Sequence, residues 1–209
     1  MIISHKHKFI FIKTAKTAST SIEVFLSPRC DSDDIVTPIV PPVEGHQRRN
    51  DKGFYNHISA TLIRERVPVD VWNTYFKFCV ERNPWDKVLS HYHMQVARTD
   101  GDLSLDQYLA KGKLPINYPR YTDETGKKII VDRVLRYENL DVDLAEVFTR
   151  LDLDFDGTLG VRAKSDYRTD RTPYQMVFNE TQRRIVEQAF AKEIELHGYQ
   201  FASIPTRPL

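Results

Sequence analysis

Lys8-Phe-Ile-Phe-Ile-Lys13 and the segment that follows it directly, Thr14-Ala-Lys-Thr-Ala-Ser-Thr-Ser21, decide the fold of this chain. The first segment is a short, continuous apolar run, which is typical of a buried strand. Beyond the hydroxyl-rich second segment, apolar residues recur at i, i+3 and i+4 as Ile22, Phe25 and Leu26. That spacing predicts a helix that packs one face inward. A strand, a polar turn and a helix in this order predict the first unit of an α/β fold.

The polar turn between this strand and this helix is suited to bind an anion. Lys13 and Lys16 supply positive charge, and residues 14–21 contain five hydroxyl side chains. The first N–H groups of a helix have no partner within the helix, and the helix dipole places partial positive charge at the same end. The turn therefore predicts a binding site for a phosphate or a sulfate group.

A loop that binds ATP or GTP is the first alternative for this turn. Lys16-Thr17 resembles the end of the pattern G-x-x-x-x-G-K-[ST], whose glycines let the loop wrap a triphosphate. Here Ala15 stands before the lysine, and Ile10 stands where the first glycine should be. Without glycine a tighter loop and a shorter anion are expected, which disfavours a nucleoside triphosphate.

Strands and helices continue to alternate beyond this unit. A second strand is predicted over residues 75–80, followed by a helix that Asn83 caps and Pro84 begins. The other predicted elements are a helix over 57–67, a helix opened by a capping box at Ser104, a strand pair or one long strand over 127–137, a helix capped by Asp141 and a helix from Asn179 to Gly198. Residues 27–55 are expected to form a long loop on the acceptor side. The prediction is one domain over residues 1–209, an α/β, three-layer, P-loop-like fold with a central, mainly parallel sheet flanked by helices.

Composition excludes several classes of protein. With 30 basic and 29 acidic residues among 209, the net charge of +1 argues against a general nucleic-acid binder. Two cysteines, Cys30 and Cys79, cannot form a disulfide framework and lack the partners of a zinc site, so no metal is expected. No stretch approaches the roughly 20 apolar residues of a membrane span. Residues 1–8 are too polar and too short for a secretory signal, so a cytoplasmic location is expected.

The hydroxyl-rich turn resembles the 5′-phosphosulfate loop of sulfotransferases that use 3′-phosphoadenosine 5′-phosphosulfate (PAPS). It is most similar to the carbohydrate branch that includes the hexuronic acid 2-O-sulfotransferases, whose loop commonly reads Pro-Lys-Thr-Ala-Ser-Thr-Ser. This chain departs from that pattern at Ala15, which replaces the proline. The resemblance implies that Lys16 is the catalytic lysine. The residues that it implies to hold the 5′-phosphosulfate group with Lys16 are Thr17, Ala18, Ser19, Thr20 and Ser21.

A second segment, Phe78-Cys-Val-Glu-Arg-Asn-Pro-Trp-Asp-Lys-Val-Leu-Ser-His-Tyr92, is similar to the 3′-phosphate motif of the same family. That motif has an arginine at the end of a strand and a serine eight residues later, here Arg82 and Ser90. A guanidinium beside a helix start can donate to two phosphate oxygens, and Ser90 can add a hydroxyl donor. Two anion sites, each after a strand, suit a nucleoside with phosphates at both ends.

The resemblance extends over most of the chain. Val134-Leu-Arg-Tyr-Glu-Asn-Leu140 matches a strand-to-helix segment of these enzymes, and His197-Gly-Tyr-Gln-Phe201 matches their last helix. Between these segments lies the loop that closes over the nucleotide in relatives. The resemblance therefore implies that Lys164 and Ser165 contact the nucleotide. Arg162, Arg168 and Arg171 lie in the same stretch.

A histidine is the expected general base, since its ordinary pKa of about 6.5 suits proton transfer near neutral pH. His57-Ile-Ser-Ala60 resembles the histidine segment of the 2-O-sulfotransferase branch, so His57 is the first candidate. The alternative for His57 is that it only caps the following helix. His46 is the second candidate, as a base or as a substrate contact. The other groups considered are His5 and His7 in an N-terminal segment expected to fray, His91, His93 and His197, and the carboxylates Glu23 and Glu81.

These observations predict an enzyme that transfers the sulfuryl group of PAPS to an acceptor hydroxyl and releases adenosine 3′,5′-bisphosphate (PAP). The resemblance implies a glycan acceptor. His46 and Arg48 are expected to contact the acceptor because they lie in the long loop of residues 27–55. Neither nucleic acid nor a membrane span is expected. The basic side chains in residues 27–55 and 97–128 are equally consistent with binding an acidic polysaccharide and with surface charge that only keeps the protein in solution. Two alternatives remain, a P-loop-like kinase that uses ATP and a non-catalytic module that binds a nucleotide or a glycan.

Overall fold

The computed structural model of this protein describes residues 1–99, 101–160, 167–168, 170 and 172–201. The chain forms two compact units. Unit 1 combines Met1–Glu81 with Asn117–Lys164, and unit 2 combines Arg82–Ile116 with Ser165–Leu209. No helix in the described ranges is both long enough and apolar enough to cross a bilayer.

Unit 1 contains a five-stranded sheet with the order β3-β1-β2-β4-β5. The strands are β1 (Ile2–Ser4), β2 (Phe9–Phe11), β3 (Ile35–Val36), β4 (Phe76–Glu81) and β5 (Arg133–Arg136). β2 pairs in parallel with β4, and β4 pairs in parallel with β5, whereas β1 is antiparallel to both of its neighbours. Four of the five strands in the described ranges therefore run in the same direction. The predicted α/β class with a central, mainly parallel sheet and flanking helices is confirmed.

The described residues contain nine α-helices. Those of unit 1 are α1 (Ser19–Leu26), α2 (Ala60–Arg66), α3 (Val69–Thr74) and α6 (Leu140–Arg150). Those of unit 2 are α4 (Pro84–Ala97), α5 (Leu105–Ala110), α7 (Tyr174–Val177), α8 (Glu180–Ala189) and α9 (Ala191–His197).

The core of unit 1 lies where α1 and α6 cover one face of the sheet. Phe9 and Phe11 are two residues apart on β2, so both side chains point to this face, and Phe78 of β4 packs with them. Phe25 of α1 stacks on Phe148 of α6, with ring centroids 5.0 Å apart and planes 10° apart. The aromatic core therefore fixes α1, and with it the turn that precedes α1, against β2 and β4.

The parallel pairing of β2 and β4 places their carboxyl ends at one edge of the sheet. Ile12 continues the ladder beyond β2 by donating its N–H to the carbonyl of Phe78 at 2.9 Å. Residues 14–19, which we call the hydroxyl loop, then lead into α1. In open α/β sheets ligands bind outside the carboxyl ends of the strands. The fold therefore presents the hydroxyl loop at the edge where a ligand is expected.

The structure corrects two expectations about irregular segments. The N-terminal segment does not fray: it forms β1, which pairs with two strands, and His5 Nδ1 lies 2.9 Å from the hydroxyl of Tyr75. His7 Nδ1 lies 3.2 Å from the carbonyl oxygen of Leu151. Residues 27–55 are not entirely a loop, because β3 pairs with β1 and Val36 bridges to Arg49. Strands of two or three residues are too short to show a period in the sequence.

Most predicted helix starts are confirmed. Asn83 Oδ1 accepts from the N–H groups of Trp85 and Asp86 at the start of α4, and Ser104 and Asn179 form capping boxes. Two predictions are wrong. α6 begins at Leu140, so Asp141 lies inside its first turn rather than at its cap. The predicted helix from Asn179 to Gly198 is divided into α8 and α9 at Phe190.

Candidate functional site

The backbone of the hydroxyl loop is left-handed at two residues that are not glycine. Lys16 has φ of 62° and Ala18 has φ of 58°. Each such residue costs about 1–3 kcal/mol and persists only where its surroundings hold it, commonly at a functional site. Left-handed turns curl backbone N–H groups into a concave surface that binds anions. The loop thus has the backbone of an anion site without the glycines that usually permit it.

Three buried hydroxyls hold the loop in this shape. Thr14 Oγ1 donates to the carbonyl oxygen of Val80, the penultimate residue of β4, at 2.6 Å. Because the single hydroxyl proton of Thr14 goes to that carbonyl, Thr14 Oγ1 acts only as an acceptor towards Thr17 at 2.7 Å or Ser19 at 3.3 Å. Thr17 and Ser19 are themselves 2.7 Å apart. These side chains bond to one another and to β4, so their role in the structure is to shape the loop.

The start of α1 faces the loop without a capping side chain. Its N-cap residue is Ala18, and no described side chain caps the helix. No acidic residue lies in the first turn. Lys16 and Thr20 are partly exposed, whereas Ser21 is buried. The N–H groups at this helix end therefore remain suited to an anion, as the sequence predicts.

Glu23, one of the alternative bases, is held by two cations behind the loop. Its carboxylate pairs with Lys13 Nζ and with the amino group of Met1, and all three groups are buried. Burial alone would raise the pKa of Glu23, but the charges of Met1 and Lys13 outweigh burial and hold it below its usual value. Each of its two oxygens has a buried ion-pair partner, so Glu23 offers no oxygen to a substrate proton.

His57, the first candidate for the base, contacts the residue directly before the loop. Its Nδ1 lies 3.1 Å from the carbonyl oxygen of Lys13. Since the carbonyl only accepts, Nδ1 carries the hydrogen and Nε2 carries the lone pair. Burial, followed by the charges of Arg120 and Lys13, lowers the pKa of His57 to about 4. At neutral pH the ring is therefore neutral, with Nε2 able to accept a proton.

The alternative role for His57, a cap for the following helix, is wrong. α2 is capped by Ser59, whose Oγ accepts from the N–H of Leu62 at 3.3 Å. His57 itself has a left-handed backbone, with φ of 62°. Strain of this kind supports a hypothesis of function, because local structure does not require it.

The second histidine candidate lies in the segment that follows α1. Burial lowers the pKa of His46, and the charges of Glu23 and Lys13 act on it as well. Its Nε2 is buried and finds no hydrogen-bond partner in the described ranges. Arg48 is exposed two residues later. His46 is thus near the charged residues behind the loop, whereas the structure gives Arg48 only a solvent-exposed position.

Sequence patterns carry no signal for Asn117, which lies between the helix predicted after Ser104 and the strand structure predicted over 127–137. Asn117 bonds both backbone polar groups of Ala15. It also donates to Glu81 Oε1 at 3.3 Å, and Tyr121 donates to Glu81 Oε2 at 2.9 Å. Both oxygens of Glu81 therefore accept bonds from buried groups, which removes Glu81 from the set of suitable bases. Residues 102 positions apart in the sequence meet only in the tertiary structure.

In unit 2 the predicted arginine lies at the start of α4. Arg82 donates from Nε and Nη2 to Asp86 Oδ2 at 2.8 and 2.6 Å. Arg168 donates from Nη1 to Asp86 Oδ1 at 2.6 Å and from Nη2 to the carbonyl oxygen of Thr172 at 2.6 Å. We call Arg82, Asp86 and Arg168 the arginine cluster. One carboxylate thus orients two guanidinium groups that carry more charge than it neutralises.

Asp86 is ionised within this cluster. Burial alone would raise its pKa, but the charge of Arg82 and hydrogen bonds from Arg82 and Arg168 hold the pKa below its usual value. Ser90 follows Asp86 by four residues on α4, so the two lie on the same helix face. Ser90 is partly exposed. The cluster can therefore offer an anion two guanidinium groups and one hydroxyl.

Of the other residues that the sequence singled out near the arginine cluster, His91 is described by the structure and four more are not. His91 Nδ1 lies 2.7 Å from the hydroxyl of Tyr108, which gives His91 a packing role within unit 2. Lys164 and Ser165, and with them Arg162 and Arg171, lie outside the described residues. Within the described ranges, no three His, Cys, Asp or Glu side chains come together as metal ligands.

Sequence comparison finds a relative of this chain but no named family. No family model matches. An uncharacterized protein of Archaeoglobus fulgidus is 36% identical over 116 residues, which cover 52% of this chain and 96% of the archaeal protein. This chain therefore belongs to the same family as the archaeal protein.

Two solved structures align with most of the chain. The structure of mouse sulfotransferase SULT7A1 complexed with PAP covers 94% of this chain and 87% of its own, with a TM-score of 0.46 and 14% identity. A sulfotransferase from Alicyclobacillus acidocaldarius covers 91% of this chain and 96% of its own, with a TM-score of 0.47 and 17% identity. Similarity at this level assigns neither a substrate nor a reaction to this chain.

Proposed function

We propose that this chain is a sulfotransferase that uses PAPS as its donor, acts on a hydroxyl of a carbohydrate and releases PAP. The observation that carries the proposal is the hydroxyl loop. Its left-handed residues Lys16 and Ala18, and the start of α1 that no described side chain caps, form an anion cradle. The neutral ring of His57 bonds to the residue directly before that cradle. The carbohydrate acceptor follows from the resemblance of the loop to the carbohydrate branch.

The hydroxyl loop would hold the 5′ end of the donor. Bound PAPS would supply the sulfuryl group and a leaving phosphate on which negative charge develops. Lys16 provides a positive charge there, and the N–H groups at the start of α1 add the partial charge of a helix end. Thr17 and Ser19 keep the loop in shape through their buried hydroxyls, while Thr20 is exposed enough to contact the ligand directly.

His57 would take the proton from the acceptor hydroxyl. The carbonyl of Lys13 fixes the tautomer, so the lone pair is on Nε2. Burial keeps the ring neutral at physiological pH, because the pKa of His57 is lowered to about 4. A positioned base of this kind contributes about 10²–10⁴ in rate. His46 is proposed as an acceptor contact, since its buried Nε2 has no described partner, and Arg48 as an exposed charge for an acidic acceptor.

The arginine cluster would hold the 3′-phosphate. Asp86 orients Arg82 and Arg168, and guanidinium groups so held lose little entropy when a phosphate binds. Ser90 lies on the same face of α4 as Asp86 and adds a hydroxyl. Lys164 and Ser165 remain proposed nucleotide contacts on the resemblance alone.

Calorimetry with PAP tests the donor part of this proposal. The wild-type protein should bind PAP at micromolar concentration and more tightly than ATP. Lys16→Ala and Arg82→Ala should each weaken PAP binding at least tenfold. Arg184→Ala, which removes an exposed charge from α8, should leave PAP binding unchanged. Absence of PAP binding to the folded wild type, or tighter binding of ATP, would contradict the proposal.

Mass spectrometry tests the transfer itself. The protein is incubated with PAPS and a panel of neutral and acidic oligosaccharides, and the products are searched for a gain of one sulfate group. His57→Gln, which keeps the size of the side chain but removes the base, should lower the rate by about 10²-fold or more. PAP binding without transfer to any acceptor would indicate a non-catalytic binding module instead.

A further inference from the structure

The side chain of Asn117 clamps the backbone of the hydroxyl loop. Asn117 is fully buried. Its Oδ1 accepts from the N–H of Ala15 at 2.8 Å, and its Nδ2 donates to the carbonyl oxygen of Ala15 at 3.0 Å. One amide thus satisfies both polar groups of a single residue, as a neighbouring strand does in a β-ladder. The contact ties the loop to a segment far away in the sequence.

The orientation of this amide is determined by its surroundings. Besides bonding Ala15, Asn117 Nδ2 donates to Glu81 Oε1 at 3.3 Å. The carbonyl of Ala15 and the carboxylate of Glu81 only accept, so the NH₂ group must face both of them. A flipped amide would place its oxygen against these two oxygens and its NH₂ group against the N–H of Ala15. The hydroxyl of Tyr121 holds the other oxygen of Glu81, which fixes the carboxylate in turn.

The clamp acts immediately before the lysine of the loop. Ala15 precedes Lys16, whose backbone is left-handed with φ of 62°. A non-glycine residue keeps such a conformation only where the surrounding structure over-determines it. Bonds to both polar groups of Ala15 fix the peptide that leads into Lys16. They therefore fix the direction in which the Lys16 side chain leaves the loop.

The same amide oxygen also holds a guanidinium group near the proposed base. Arg120 Nη1 donates to Asn117 Oδ1 at 3.2 Å. Arg120 lies close enough to His57 for its charge to help to lower the pKa of that ring. Asn117 is therefore connected to the lysine side of the site through Ala15 and to the histidine side through Arg120.

We propose that Asn117 is a positioning residue of this site, which sets the direction of Lys16 through the backbone of Ala15. The inference rests on the proposed sulfotransferase function. Asn117 does not itself need to touch the donor or the acceptor. A displacement of about 1 Å in a reacting group can cost about 10²-fold in rate, so loss of the clamp should reduce turnover far more than it reduces binding.

The first test separates turnover from binding. Asn117→Ala should lower kcat for sulfate transfer by about 10²-fold, with the acceptor KM changed less than threefold. Asn179→Ala is the matched control, because it removes an amide that caps α8 and should leave kcat within twofold of wild type. Circular dichroism and thermal melting establish that each variant is folded. If Asn117→Ala does not fold, Asn117→Ser, which keeps a polar side chain too short to reach Ala15, replaces it.

The second test is a double-mutant cycle with Lys16→Ala, measured in single turnover. If Asn117 acts through Lys16, the double variant should be within threefold of Lys16→Ala alone. A purely structural role would instead make the two losses multiply. The inference is overturned if Asn117→Ala loses no more kcat than Asn179→Ala does, or if the two losses multiply in the cycle. In either case, transfer by the wild type would still support the proposed function. Absence of transfer by the wild type would overturn both, and PAP calorimetry identifies that case.

Discussion

Lys16 and Ala18 have left-handed backbone although both have a Cβ atom. For an L-residue this conformation costs about 1–2 kcal/mol. The loop tolerates the cost because Val80 and Asn117 bond its first two residues, Thr14 and Ala15, and because the hydroxyls of Thr17 and Ser19 bond to each other near its other end. Lys16 and Ala18 are therefore strained, and their left-handed backbone orients the N–H groups of the loop.

Ala18→Gly should stabilise the protein by about 0.5–1 kcal/mol, because relief of left-handed strain exceeds the larger entropy that glycine loses on folding. Urea unfolding at neutral pH measures the change. The matched control is Ala145→Gly on the exposed face of α6, where the same substitution in right-handed helix should destabilise by about 1 kcal/mol. Equal destabilisation by both substitutions would show that the loop is not strained at Ala18.

His57 should remain neutral far below the usual range for histidine. Since its pKa is lowered to about 4, its Cε1 proton resonance should titrate near pH 4, whereas exposed histidines titrate near about 6.5. The lowered pKa means that the unfolded state binds the extra proton more readily, so the stability contribution of His57 is complete above about pH 6.5 and is lost as the pH falls towards 4. Nuclear magnetic resonance of wild type and His57→Gln assigns the signal. A midpoint at or above 6.5 would contradict the buried, neutral ring.

At the scale of elements, the start of α4 combines a capped helix end with two arginines on one carboxylate. Asn83 satisfies two N–H groups of the first turn, and Asp86 in that turn favours the positive end of the helix dipole. Arg82 and Arg168 both bond Asp86. The element thus keeps its two guanidinium groups in place before any ligand binds.

Asp86→Asn should destabilise the protein by about 2 kcal/mol at pH 7, because it leaves two largely buried guanidinium groups without their counter-charge. The pKa of Asp86 is lowered in the folded state, so this contribution is complete above its unfolded pKa of about 4 and is lost as the pH falls further. Urea unfolding at pH 7 and pH 3 should show the difference between wild type and variant shrinking in acid. Glu124→Gln, at an exposed ion pair with Arg64, should cost less than about 0.5 kcal/mol at either pH.

Helix caps and the spacing of apolar residues made most elements predictable from the sequence. Two short strands were not predicted. Asn83, Ser104 and Asn179 were predictable as caps because the bond from a cap side chain to the next turn is local. β1 and β3 were missed because they are short and no continuous apolar run like that of residues 9–12 marks them, so only the pairing with neighbouring strands defines them. At Asp141 a good capping residue lies inside α6, because the helix begins at Leu140, two residues earlier than a cap at Asp141 predicts.

At the scale of the whole molecule, binding of PAP should raise the free energy of unfolding. PAP at a concentration of about 100 times its Kd should raise the unfolding free energy by about 2.7 kcal/mol, since it binds the folded state alone. Thermal melting with and without PAP measures the gain. Lys16→Ala in unit 1 and Arg82→Ala in unit 2 should each reduce it, while inorganic sulfate at the same concentration should give little. An undiminished gain in either variant would remove that residue from the proposed binding site.

Local sequence alone determined the strand, loop and helix of residues 8–26, because residue type and spacing along the chain record local structure. The resemblance of short motifs to a known family indicated the candidates Lys16, His57 and Arg82. Only the tertiary structure decided the partners of these residues. The tautomer of His57 depends on the carbonyl of Lys13, the direction of Lys16 depends on Asn117, and Arg82 shares Asp86 with Arg168. Such contacts join residues far apart in the chain, and hydrogen bonds and burial act through distance in space rather than through separation in sequence.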